Sequence, residues 1–159
     1  AVFEIDGNKN PVYCENLAFL SKLFLDHKNL HEDMSIFLFY VLCEIENNEY
    51  HIAGYFSKVT PFTQVKETEN NLSCILVLPF FQRKGYGKFL ITFSYELSLI
   101  EQKVGGPEKP LSDLGKETYL SWWTQRLVDF IRDNRNESYT LADMSRRTGI
   151  TEEDIKWTL

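Results

Sequence analysis

Seven residues, Gln82-Arg83-Lys84-Gly85-Tyr86-Gly87-Lys88, combine cations with two closely spaced glycines directly before an apolar, helix-like run. Chemistry that needs this combination is anion binding. Backbone N–H groups at a helix N-terminus are unpaired and lie at the positive end of the helix dipole. Glycine at 85 and 87 lets the backbone approach a bulky anion and take φ > 0, while Arg83, Lys84 and Lys88 add charge. Position 90 is leucine, so the third glycine of a dinucleotide fingerprint is missing, and no Gly-Lys-Ser/Thr follows four spacer residues as in a P-loop. On spacing alone, a helix start with solvated lysines explains the stretch equally well. Three further residue types could react. Cys74, in a run apolar on both faces, reads by itself as an inert core thiol. Glu108, between Pro107 and Pro110, reads as an exposed turn carboxylate stiffened by two prolines. Lys28 reads as a solvated helix lysine. His27, His31 and His51 share no metal-binding spacing, and no metal is assigned.

These residues must be positioned by elements that the pattern partly reveals. "AVFEIDGNKNPVYC" alternates around Asp6-Gly7, a hairpin signal. "NLAFLSKLFLDHK" carries Leu17, Leu20, Leu23 and Phe24 at helical spacing, with Asn16 as cap. "FLFYVLCEI" and "HIAGYFSK" predict two antiparallel strands joined at Glu46 to Glu49, and residues 59–71 a loop. "LSCILVLP" predicts a central strand covered on both sides and stopped by Pro79. The helix after the glycine turn is expected to bury Phe89, Phe93, Leu97 and Ile100. At the C-terminal end, "TLADMSRRTGITEEDIKWTL" has a helix-turn-helix outline around Gly149, capped by Thr140 and Thr151.

Length and composition bound the function. At 159 residues, 43% hydrophobic and 14% aromatic, the chain fits one ordinary globular domain. Its apolar runs fall short of the roughly 18 residues of a membrane span, and it reads as soluble. A net charge of −6 argues against wholesale nucleic-acid binding and suits a basic peptide partner. Cys14, Cys43 and Cys74 are scattered, unlike a disulfide framework, which implies a reducing intracellular compartment.

The order of motifs adds more. Gln82 to Gly87 after a buried strand resembles the turn with which the GCN5-related acetyltransferase superfamily holds the pyrophosphate of acetyl-CoA. "LSKLFLDHK", "FLFYVL", "GYFSK", "CILVLP", "QRKGYGKFLI", "FSYELS" and "GPEKPLSDLG" occur in the order found in the MYST family of histone acetyltransferases, over nearly the whole chain. The chain is similar to a MYST catalytic core. The resemblance implies an α/β fold, a GCN5-related mixed central sheet flanked by helices, with a small helix-turn-helix-like C-terminal region. It implies residues 1–135 as the acetyl-CoA-binding and catalytic region and 136–159 as a truncated C-terminal region.

Carried over position by position, the resemblance makes Cys74 the active-site cysteine and Glu108 the general base. Lys28 matches the autoacetylated lysine, and Ser112 and Ser121 match cofactor contacts. Ile75, Leu76 and Val77 would pair with the pantetheine arm, and the pyrophosphate would sit on Gln82, Arg83, Lys84, Gly85, Tyr86, Gly87 and Lys88. The expected cosubstrate is acetyl-CoA, with zinc only in an upstream segment outside this chain. The chain departs from the family pattern at "HEDMSI", residues 31–36, in the length of residues 59–73, at Gly106 where serine is usual, and at Val77 where threonine is usual. The first two lie near the expected peptide entrance, so substrate choice is left open.

The implied activity is acetyl transfer to the ε-amine of lysine in histone tails, in the nucleus, by a member of a chromatin-modifying complex. An acetyltransferase for small amines and a non-catalytic chromatin scaffold are the alternatives. Direct sequence-specific DNA binding is not expected, because Glu152, Glu153 and Asp154 would occupy the first turn of the recognition helix and repel phosphate. They suit the helix dipole, so the segment is expected to pack on the core, with subunit docking left open. No membrane partner is expected.

Overall fold

The computed structural model describes residues 1–24, 33–60 and 70–159. In chain order its elements are β1 (Val2–Asp6), α1 (Pro11–Lys22), β2 (Phe37–Glu46), β3 (Glu49–Val59), β4 (Asn70–Leu72), β5 (Cys74–Val77), α2 (Tyr86–Ile100), β6 (Gly106–Pro107), α3 (Asp113–Asp133), α4 (Leu141–Thr148) and α5 (Glu152–Thr158). Short 3-10 turns lie at Met34–Ile36 and Pro79–Phe81. Two compact units result: Ala1–Thr68 with Ser73–Tyr86, and Glu69–Leu72 with Gly87–Leu159. The class is the expected α/β. No described helix is long and apolar enough to cross a membrane.

The first unit is built on an antiparallel sheet in the order β1-β2-β3-β5. β2 and β3 form the hairpin that alternation predicts, and Asn47 and Asn48 take φ of 51° and 66° at its turn. Asparagine tolerates this left-handed region better than most residues. The first stretch is not a hairpin. β1 pairs with β2, and the chain turns at Gly7 into α1, whose first residue is Pro11. Proline is favoured there because its missing N–H would be unpaired in any case. Gly7 is required at the turn, since a Cβ on it would lie 2.0 Å from the Met34 carbonyl oxygen. The N-cap is therefore Asn10 rather than Asn16, and the buried face of α1 is Cys14, Leu17, Ala18 and Ser21. Leu23 and Phe24 are exposed. Phe37, Phe39, Val41, Cys43, Tyr55 and Leu76 meet that face to complete the core.

"LSCILVLP" is not one central strand. Leu72 ends β4, and Cys74 begins β5 at the edge of a different sheet. Residues 70 and 71, expected in a loop, belong to β4.

In the second unit β4 and β6 pair in parallel. The buried face of α2 is Leu90, Ile91, Ser94, Tyr95 and Ser98, whereas Phe89 and Ile100 are exposed. The expected stripe was one position off, because small Ser94 and Ser98 let the helix lie close where apolarity alone favoured phenylalanine. α3 buries Tyr119, Trp123, Leu127 and Phe130 at helical spacing. Trp123 Nε1 donates to the Tyr95 hydroxyl at 2.8 Å, so the buried polar atoms of both rings are used. α4 and α5 are capped by Thr140 and Thr151 as expected, and Gly149 closes α4 at φ 78°.

Candidate active site

Pro79 ends the run that follows β5, and a 3-10 turn leads into the glycine-rich stretch. Gly85 adopts φ 88°, the left-handed region, and a Cβ there would meet nothing within 4 Å. The glycine is thus needed for the turn and leaves open space beside it. The other positive φ falls on Arg83, at 60°, and not on Gly87, which is already the second residue of α2 and helical. Gln82 to Gly85 and Lys88 are exposed, and Tyr86 and Gly87 half-buried. The first backbone N–H groups of α2 therefore emerge at an accessible, glycine-lined turn, which fits an anion with several oxygens.

The turn is braced by a residue that local pattern did not reveal. Glu44 of β2 accepts from the Tyr86 hydroxyl and lies 3.3 Å from Lys84 Nζ. The Tyr86 hydroxyl, with help from Lys84, holds the Glu44 carboxyl below the usual carboxylate range, and Glu44 in turn pushes Tyr86 up. Lys84 also stands 5.1 Å over the Phe81 ring. Its charge is compensated, whereas Arg83 makes no ion pair among the described residues. Gln82 Nε2 donates to the Val77 carbonyl at 3.0 Å, folding back on the end of β5.

Cys74, Ile75, Leu76 and Val77 make up β5. Its pairing with β3 uses one edge, and among the described residues no strand pairs with the other, which could take an extended ligand. The Cys74 side chain is held in a directed polar chain. Cys74 Sγ donates to Ser21 Oγ at 3.6 Å, and the Tyr55 hydroxyl donates to the Leu17 carbonyl at 2.9 Å. Ser21 Oγ and the Tyr55 hydroxyl are in direct hydrogen-bond contact. Tyr55 has one proton and it goes to Leu17, so Ser21 is the donor in that contact. The order is Cys74 to Ser21 to Tyr55 to the α1 backbone. Burial, and then the neighbouring Cys74, push the Tyr55 hydroxyl well up, so it stays protonated.

Other candidates lie in the second unit. Lys88 Nζ donates to Ser121 Oγ at 2.8 Å, bringing together two positions 33 residues apart. Ser112 caps α3 by accepting from Gly115 N at 3.1 Å. Glu108 is exposed immediately after β6, and its N–H donates to the Leu72 carbonyl at 2.8 Å. Its neighbour Lys109 reaches Asp154 Oδ1 at 2.9 Å and Glu153 at 3.3 Å. Burial lowers the Lys109 pKa, but Asp154 and then Glu153 outweigh it, and the net direction is up. Asp154 does not face outward with Glu152 and Glu153 as expected; its side chain is 2% exposed. Lys28, His27 and His31 lie outside the described residues. Among the described residues there is no group of three or more His, Cys, Asp or Glu that could hold a metal ion.

A model of the MOZ/SAS family matches residues 1–159. The chain is 52% identical over 159 residues to a protein of Arabidopsis thaliana named histone acetyltransferase of the MYST family 1, covering 100% of this chain and 35% of the relative. It is 53% identical over 161 residues to the histone acetyltransferase Tip60 homolog of Caenorhabditis elegans, covering 99% of this chain and 34% of the relative. Against the histone acetyltransferase MOF of Drosophila melanogaster it is 48% identical over 161 residues, covering 100% of this chain and 19% of the relative. The chain thus spans about a third or less of these curated relatives.

Proposed function

Since the chain belongs to the MOZ/SAS family, we propose that it is the acetyl-transferring part of a histone acetyltransferase, moving the acetyl group of acetyl-CoA to the ε-amine of lysines in histone tails. The observation that carries this is the exposed turn Gln82 to Lys88, where an open left-handed glycine precedes the N-terminus of α2. The pyrophosphate would rest on the first N–H groups of α2, with Arg83, which makes no ion pair among the described residues, as a cation beside it. The edge of β5 away from β3, at Ile75, Leu76 and Val77, would take the amide groups of the pantetheine arm. Lys88, Ser112 and Ser121 are proposed as further cofactor-binding residues. Acetyl-CoA supplies an activated thioester; the protein must supply a lysine with a lone pair.

Glu108 is proposed as the residue that takes the lysine proton. With an unperturbed pKa of about 10.4, roughly one lysine in 2,500 is neutral near pH 7. A carboxylate in a loop fixed by its own N–H bond to Leu72 can meet the ammonium at a defined place. Cys74 is assigned a wall of the site rather than an acetyl carrier, because its thiol is engaged as a donor to Ser21. Lys28 is proposed as the self-acetylated lysine. Nuclear action within a chromatin-modifying complex, without sequence-specific DNA contact, follows from the same reading.

The test is acetyl transfer from radiolabelled acetyl-CoA to a panel of histone-tail peptides, polyamines and no acceptor. Label should appear on peptide lysines. Label on polyamines alone would favour small-amine chemistry, and no label anywhere a non-catalytic scaffold.

A further inference from the structure

The loop that carries Glu108 is tied down on both sides of that residue, and one tie comes from the last helix of the chain. Ahead of Glu108, Gly105 N donates to the Gly149 carbonyl at 3.0 Å and Gly105 bridges to Ile150. Gly106 and Pro107 pair with β4, and Glu108 N reaches Leu72. Beyond Glu108 the side chain of Lys109 reaches Asp154 at 2.9 Å.

Asp154 is an unusual place for a carboxylate. Its side chain is 2% exposed, while that of Lys109 is 47% exposed. A buried carboxylate requires a compensating cation, so Lys109 is drawn in and not the reverse. The carboxylate also lies hard against the loop backbone. A Cβ on Gly106 would fall 2.6 Å from Asp154 Oδ2, so a residue without a side chain is what admits it. One acidic group on α5 thus touches the loop at 106 and anchors it at 109, on either side of the carboxylate at 108.

We propose that Asp154 is a positioning residue for Glu108, acting through Lys109, so that the C-terminal helix pair sets the geometry of the proposed base. This rests on the reading of Glu108 as the base. It gives the helix-turn-helix-like end a role in the transfer itself. A displacement of about 1 Å in a catalytic group can cost on the order of 100-fold in rate, so loss of one anchor can slow the reaction while the backbone ties keep the loop folded.

The experiment is a double-mutant cycle on the whole protein, with kcat for a histone-tail peptide, acetyl-CoA affinity and thermal midpoint measured together. Asp154→Asn should lower kcat about 10-fold to 100-fold with acetyl-CoA affinity unchanged, and should lower it less than about twofold when Glu108→Gln is already present, since a base that is absent cannot be misplaced. Lys109→Met should behave like Asp154→Asn, and Lys109→Arg, which keeps the cation, should restore most of the rate. The Lys109 pair decides the matter if Asp154→Asn does not fold. Equal factors in both backgrounds, or no loss in any of these variants, would overturn the proposal. If Glu108→Gln alone keeps full kcat, the base reading fails and the positioning role with it. A slow Glu108→Gln protein beside a fully active Asp154→Asn protein refutes only the positioning role.

Discussion

Cys74 and Glu108 are the two residues proposed to flank the acetyl transfer, and their surroundings are opposites. Cys74 is buried, and its thiol leads a one-way series of donors that ends on the backbone of α1. Glu108 is exposed, and what is fixed is its loop. A nucleophilic cysteine needs a thiolate, which is promoted by nearby cations or a helix N-terminus. Cys74 has instead a serine and a tyrosine that stays protonated. A general base needs a carboxylate at a reproducible place, and the Glu108 loop, tied at Leu72 and Asp154, is consistent with that proposed role. The contrast supports the proposed roles, proton removal for Glu108 and shape for Cys74.

Binding should depend most on the turn that precedes both roles. Gly87→Asp adds a negative charge to the first turn of α2, where the pyrophosphate would rest, and should weaken acetyl-CoA binding on the order of 100-fold, about 2.8 kcal/mol, by calorimetry. Unchanged affinity would remove the site from the account. Next in size, Cys74→Ala should lower kcat by less than about tenfold, because direct attack on the thioester does not pass through sulfur. Isolation of an acetylated Cys74 that forms and decays at the turnover rate would break the contrast. Ser21→Ala sharpens it. Removing the hydroxyl leaves Cys74 and Tyr55 without their shared partner and should cost about 1 kcal/mol of stability in denaturant titration, with kcat nearly unchanged. A large loss of kcat with unchanged stability would show that the polar series takes part in the reaction.

The smallest effect belongs to Glu44. It holds Tyr86 and compensates Lys84, so Glu44→Gln should tighten acetyl-CoA binding about twofold as a negative charge leaves the neighbourhood of the anion. The Glu44 pKa is depressed, so its charge is present above the ordinary carboxylate range and lost as the pH falls through the depressed value. The two proteins should therefore differ from pH 8 down to about 5 and converge only below that. A difference that closes between pH 6 and 8 would place its cause elsewhere.

How far the sequence anticipates this depends on whether the determining contacts are local. The β2–β3 hairpin and the α4–α5 pair are legible because alternation, Asn47-Asn48, two threonine caps and Gly149 all act within a few residues. The turn into α1 is not legible locally because Asp6-Gly7 is a hairpin signal, while the close approach to Met34 that needs the glycine is made 27 residues further on. Pro11 was the available local clue. The division of "LSCILVLP" between two sheets has no local mark, since both halves are apolar. α3 could have been read from Tyr119, Trp123, Leu127 and Phe130. In the site, the motif residues are legible from the sequence, but the contacts of Glu44, Ser21, Tyr55 and Asp154 are not. Each acts across 30 or more residues of chain, Asp154 on α5 meeting Lys109 of the motif across 45.

The measurement that bears most directly on the division of labour is the pH–rate profile of Glu108→Gln beside the wild-type protein. The substitution keeps the shape of the side chain and removes its basicity. It should lower kcat by about 10² to 10⁴ at neutral pH with acetyl-CoA affinity nearly intact, and part of the lost rate should return at alkaline pH, where solvent deprotonates the substrate lysine unaided. Wild-type kcat with an unchanged pH profile would contradict the account and leave Glu108 as a structural turn residue.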